Sequence, residues 1–362
     1  MRIELIRRPE RSSAMSLLSP IIAIVLTVIT GFFIFLAIGV DPLEALYIYF
    51  IEPLTAWWTV EALLIKAAPI ILIAIGLSLC YRSNNWNIGA EGQLVAGAIA
   101  GSVFPILVPE WNGPLVLPVM LLMGIAGGML YGAIPALLKI RFGTNEILTS
   151  LMLVYVAQLF LDWLARGPWR NPEGYNFPDS REFDGWQVLP VVFGDDVRLN
   201  AIFVLIAVAV AWFVLSRTIT GFQISVLGQA PRAAAFAGFS QKRMVLMTFL
   251  ISGGLAGLAG ICEVAGPIEM LRTSVSPGYG FTAIIVAFLG RLNPVGILFA
   301  GLLLALSYIG GEGIQIVLGV SDQITRVFQG MLLFFVLTCD TFIFYRVRFV
   351  STRRSAAAEA TP

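Results

Sequence analysis

No histidine occurs among the 362 residues. Imidazole metal sites, Ser-His-Asp triads and histidine proton relays are therefore excluded. Charge is also scarce: Asp, Glu, Lys and Arg make up 12% of the chain, about half the ~25% of a soluble domain. The formal net charge is +1 without a dense basic patch, which argues against a nucleic-acid partner. The three cysteines, Cys80, Cys262 and Cys339, lack metal-ligand spacing and lie in or beside apolar runs, as small buried hydrophobes do. No metal site is expected. No Gly precedes a Lys anywhere, so the phosphate-binding loop Gly-x-x-x-x-Gly-Lys-Ser/Thr is missing. If ATP drives this protein, another chain hydrolyses it, and no catalytic residue is expected here.

What fills the chain is apolar: 58% of residues are hydrophobic, and a helix crossing a ~30 Å hydrocarbon core needs about 20 of them in a row. Ten spans are expected, at 19–40, 61–80, 94–108, 115–138, 147–164, 199–215, 244–265, 280–289, 294–310 and 324–345. The sequence thus describes an all-α integral membrane protein lying in a lipid bilayer. It has an N-terminal arm at 1–18, a transmembrane domain at 19–345 and a low-complexity tail at 346–362 expected to be disordered. Lys and Arg concentrate in the arm, the tail and the segments around Arg82, Lys139, Arg217 to Arg243 and Arg291, against Arg166, Arg170, Arg181, Arg198 and Arg272 on the other side. By the positive-inside rule both termini are cytoplasmic, the loop 166–198 is external and the loop 216–243 is cytoplasmic. Five spans precede the external loop and five follow it. The halves then run in opposite directions, as a 5+5 inverted repeat would, with the break at 83–93 matching that at 266–280.

Four segments depart from plain helix. In the first, Asn84, Asn85, Trp86, Asn87, Glu91 and Gln93 crowd between two spans, with Gly89 and Gly92 among them. This is either a solvated turn or a broken, re-entrant element whose amides line a translocation pathway. In the second, Thr144 or Asn145 can cap the fifth span and Glu146 suits its positive end, with a pathway role for Asn145 and Glu146 as the alternative. The third is the stretch Gly228, Gln229, Ala230, Pro231, Arg232, Ala233, Ala234 and Ala235, where Pro231 starts a short helix that could fill a groove on a partner or lie at the membrane interface with none. The fourth, 276–281 with 290–294, breaks the helix with Gly and Pro. Charges at span positions are Glu61, Lys66, Glu263, Arg326 and Asp340. Apart from Arg326 each lies near enough to an end to snorkel, and they make a poor ion-coupling set.

Taken in order over residues 60 to 345, these segments resemble the permease subunits of bacterial ATP-binding-cassette importers in the branched-chain amino acid, ribose and nucleoside group. Asn87-Ile88-Gly89-Ala90-Glu91-Gly92-Gln93 is similar to the Asn-Ile-Gly-x-Glu-Gly-Gln signature of the nucleoside branch, and Gly143 to Ile147 with Leu151-Met152-Leu153 to its Asn-Glu stretch. Val154 stands where that branch usually has Asn. The stretch 228–238 resembles the family's coupling segment, and 278–296 its Gly-x-Gly-Phe…Leu-Gly-Arg-x-Asn-Pro-x-Gly signature.

The resemblance implies an ABC ATPase subunit carrying ATP and Mg, a second and related permease chain, and an extracytoplasmic substrate-binding protein, at the inner (plasma) membrane. No cofactor is expected on this chain. Residues Gly228 to Ala235 would contact the ATPase. The neutral amides and the Trp86 ring suit a small-molecule solute such as a nucleoside. A sugar or another small solute is an alternative, and an ion-coupled secondary transporter is the rival from a different class.

Overall fold

The computed structural model describes residues 2–7, 13–111, 113–321 and 323–350. Of the segments expected at the ends, part of the arm (8–12) and the tail from 351 lie outside the described residues. The elements run β1 (Arg2–Arg7), α1 (Ser13–Ile38), α2 (Pro42–Phe50), α3 (Trp57–Arg82), α4 (Ala90–Leu107), α5 (Val116–Phe142) and α6 (Glu146–Arg166). Next come β2 (Asp179–Glu182), β3 (Val191–Phe193), β4 (Val197–Arg198), α7 (Asn200–Arg217), α8 (Ile219–Gln229) and α9 (Pro231–Phe236). The chain ends with α10 (Gln241–Glu263), β5 (Met270–Arg272), α11 (Tyr279–Leu289), α12 (Pro294–Leu318), α13 (Gln323–Phe344) and β6 (Tyr345–Val350). Among the described residues eight helices are long and apolar enough to cross a membrane, and α11 and α13 are shorter apolar helices. The all-α membrane architecture expected from sequence is what the chain adopts, with a helix at each of the ten expected spans.

Two compact units make up the chain. The smaller one takes the residues up to Ile51 and those from Gly311 onward. In it α1 packs on α13, and Phe35, Tyr49 and Phe328 form an aromatic core in which the Tyr49 and Phe328 rings stack at 4.9 Å. Asp41 caps α2, a helix the sequence reading did not anticipate, by accepting the N–H groups of Leu43 and Glu44. Residues 346–350, which begin the segment expected to be a disordered tail, pair antiparallel with β1 of the N-terminal arm.

The larger unit, Glu52–Gly310, is organised around α3, α4 and α10. These helices are apolar on all sides and buried along most of their length, whereas α5, α6 and α7 bury one face and present the other outward. That is the division expected between central helices and a lipid-facing rim. The contact of α10 with α5 is made through small residues. A Cβ added at Gly253 or Gly257 would run into the backbone of Gly128 or Gly124. Close backbone approach of this kind is how helices associate where lipid offers no hydrophobic drive. At one end of the bundle β2 pairs with β5 and β3 with β4. The turn of the β3–β4 hairpin is tied to α3 because the Glu61 carboxylate accepts the N–H groups of Asp195 and Asp196, each at 3.3 Å.

Candidate functional site: the helix breaks and the opposite end of the bundle

α3 ends at Arg82, and Asn84 takes the left-handed conformation (φ 57°) that reverses the chain. Residues 85–89 then run back without regular structure until α4 begins at Ala90. The return is deep. Asn87 donates to Ser252 Oγ at 3.1 Å, and Ser252 lies eleven residues into α10, roughly 16 Å along it. Segment 83–89 is therefore re-entrant, one of the two forms expected from sequence.

Its polar groups are turned on one another. Asn87 and Gln93 exchange side-chain hydrogen bonds at 3.0 and 3.1 Å, the Asn87 oxygen also accepts the Gly89 N–H, and Tyr81 donates to the Asn87 carbonyl at 2.9 Å. Both amides are fully buried. An unmade bond would be costly at that depth, and the reciprocal pairing gives each amide group of the pair a partner. Asn85, also buried, donates to Ser83 Oγ and accepts from Lys139 Nζ at 2.9 Å. Lys139 in turn forms an ion pair with Glu146, which also accepts the Trp86 N–H. The Trp86 ring stacks with Phe288 at the end of α11, and Phe288 stacks on Tyr81. Asn84 is exposed, and so is Asn145, whose side chain caps α6 at the Ile147 N–H.

Glu91 completes the network. Its carboxylate accepts the Gly280 N–H in the first turn of α11, and both residues are buried. The second break precedes it: Gly266 is non-helical, and the chain passes through β5 before α11 starts at Tyr279. α4 and α11 thus begin beside each other, as the two discontinuous helices of an inverted repeat do.

Beyond the Arg82 end of α3, α8 and α9 form a compact step. Pro231 occupies the first turn of α9, as expected. Ala234 is turned inward and packs with Leu79, Ile224, Leu227 and Met244. Gln229, Ala230, Pro231, Arg232, Ala233 and Ala235 are exposed, and Gly228 is half-buried with its α-carbon against the Arg82 carbonyl, where a Cβ has no room. Phe236 is 94% exposed. The sequence reading passed over Phe236, although a large aromatic closing a short alanine helix was a usable signal. It also missed Lys139, Ser252, Phe288 and Ser150, whose Oγ accepts the Ile88 N–H at 3.2 Å, as partners of the polar segment, and only distant contacts reveal them.

Two discontinuous helices meeting inside an apolar bundle, with an exposed helical step at one end, define a membrane transport subunit. The family described as branched-chain amino acid transport system permease component matches residues 59–337, and the chain belongs to it. The glucose ABC transporter permease of Haloferax volcanii is 34% identical over 100% of this chain and 98% of its own length. A nucleoside ABC transporter permease of Lactococcus lactis is 29% identical over 88% and 90% respectively. A guanosine ABC transporter permease of Bacillus subtilis is 28% identical over 92% and 95%. A solved inward-facing ABC transporter of the metal-chelate type aligns with 90% of this chain and 99% of its own at 15% identity and a TM-score of 0.45. This chain is a multi-pass permease subunit of the ATP-binding-cassette importer class.

Proposed function

We propose that the chain moves a small neutral polar solute, a nucleoside or a sugar, across the membrane. Energy comes from ATP and Mg on an ABC ATPase subunit, beside a second permease chain, and the solute is delivered by an extracytoplasmic binding protein. Both termini and the α8–α9 step are cytoplasmic, and the two strand pairs β2–β5 and β3–β4 are external. The observation that carries the reading is the mechanical continuity of the step with the re-entrant segment. α9 rests through Ala234 on Leu79 of α3, and α8 rests through Gly228 on the Arg82 carbonyl, at the root of segment 83–89. A partner that holds α9 differently in two states would shift that root between two positions, which is how binding energy biases a conformational equilibrium. The absence of a clustered set of carboxylates among the described residues favours an uncharged solute over an ion. Whole-length similarity to a glucose permease supports a sugar as well as the nucleoside suggested by the sequence signatures.

The test is purification of the tagged chain in mild detergent, identification of co-purifying subunits, and reconstitution with radiolabelled adenosine and glucose. ATP-dependent uptake of either supports the reading. Uptake driven by an ion gradient without ATP or an ATPase overturns it in favour of a secondary transporter.

A further inference from the structure

A cavity of about 400 Å³ opens in the larger unit between α3, α7, α12 and the β3–β4 hairpin. Every residue lining it is Ala, Val, Leu, Ile or Phe, so it offers none of the polar side chains that a water, a nucleoside or a sugar would need. Its floor is Ala67, Ala68 and Ile71 of α3, each 2% exposed. α12 closes on that floor because Gly301 lets its backbone sit against the Ile71 side chain. Ile202 and Leu205 of α7 stand on the other flank, and Val192 and Phe193 of the hairpin form the roof. These four are exposed, so the cavity is a groove with its mouth on the outward face of the bundle.

That mouth is continuous with the lipid-facing side of α7, where Ile206, Val210 and Phe213 are also exposed. Hydrocarbon is therefore the medium at the opening. An apolar void left empty forfeits the dispersion contacts of its lining, and a hydrocarbon occupant restores them. Size selects the occupant. Drawn out over one leaflet, ~15 Å deep, the 400 Å³ has about a third the cross-section of a helix ~10 Å across. A partner's transmembrane helix is too wide to enter, whereas a single hydrocarbon chain fits. The roof also marks the headgroup level. Trp57 lies edge to face with Phe193, ring centroids 5.8 Å apart, and both Trp57 and Trp58 are exposed at the start of α3. Exposed tryptophans at the end of a membrane helix sit at the interface with water.

We propose that this groove is a lipid site. One acyl chain of a membrane phospholipid runs between α3, α7 and α12, with the headgroup at the level of Trp57 and Trp58. The lipid then completes the packing of α3, whose far end leads into segment 83–89, against α7, which leads into α8. The inference rests on the membrane class of the protein and on no particular solute.

The experiment places the complete transporter in liposomes of phosphatidylcholine that carries a photoactivatable diazirine on one acyl chain. After illumination, mass spectrometry locates the adducts, and Ile206 and Val210 report contact with bulk lipid. The expected result is adducts on those two and also on Ala67, Ala68 and Ile71, which lipid reaches only by entering the groove. Ala201→Phe fills the groove from α7. It should bring a loss of the α3 adducts while those on Ile206 and Val210 stay. Adducts on Ile206 and Val210 alone in wild type overturn the proposal, whether the groove is then dry or covered by another helix. So do α3 adducts that persist at the wild-type level in Ala201→Phe. Should that variant fail to assemble, the wild-type labelling decides by itself.

Discussion

The carboxylate of Glu91 in α4 accepts the backbone N–H of Gly280 in α11 at 2.6 Å. Glu91 also lies in the first turn of its own helix, so the positive ends of two helices converge on one side chain. There is no room at Gly280 for a Cβ, because the Glu91 backbone occupies that space. The two helix breaks are thereby held in a fixed register, 189 residues apart in sequence.

Glu91→Ala should leave the Gly280 N–H unpaired in a buried site and destabilise the larger unit by about 1–3 kcal/mol. Glu91→Gln keeps an acceptor and should lose less. Thermal melting of the purified protein, followed by fluorescence-detected gel filtration, orders the three proteins. An Ala variant as stable as wild type would remove the capping role.

Asn87→Ala strips partners from Gln93 and Ser252 together. Because those groups share one network, the double variant Asn87→Ala/Gln93→Ala should lose less than the two single losses added. The check is a double-mutant cycle on melting temperature, and strict additivity would mean that the pair is not coupled.

Phe236→Asp and Arg232→Glu alter exposed positions, so both chains should insert and melt as wild type does while losing ATP-driven uptake. A buried aromatic anchor is worth at least about 2 kcal/mol at an interface. Recovery of the ATPase on Phe236→Asp should accordingly fall by about 30-fold in affinity. Ala234→Leu behaves in the opposite way: overpacking against Leu79 and Met244 costs about 1–3 kcal/mol of stability. Equal effects of Phe236→Asp and Ala234→Leu on melting would contradict this division of roles.

Glu146→Lys should weaken the anchorage of segment 83–89, and the swap Lys139→Glu with Glu146→Lys should restore part of it. Both side chains are mostly shielded, 22% and 14% exposed, so a second positive charge beside Lys139 should cost more than the ~1 kcal/mol of an exposed pair. Hydrogen exchange of the Trp86 amide, which Glu146 accepts at 3.4 Å, reads it directly. An unchanged exchange rate in Glu146→Lys would show that the ion pair does not hold the segment.

Several features were legible in the sequence because they depend on local composition. Apolar run length gave the ten spans, and Pro231 followed by alanines gave α9. The Gly- and Asn-rich stretch at 83–93 gave a break in the helix, because no lipid-facing helix tolerates that density of amides. α2 and α8 went unseen. They are short and carry no strong period, and α8 is held by Ile224 and Leu227 packing on Leu79 rather than by its own propensity.

What the sequence by itself determined is the membrane class, the order of helices and the places where helix must stop, since burial in lipid and backbone satisfaction act residue by residue along the chain. The tertiary structure alone decided which polar residue serves which end. It turned Asn87 and Gln93 on each other, gave Glu91 to an α11 amide, shielded Glu263 beside Tyr279, and left Phe236 outside. Those assignments depend on contacts between helices far apart in the chain, where a polar group must find its partner once packing has excluded water, and no spacing along one segment encodes them.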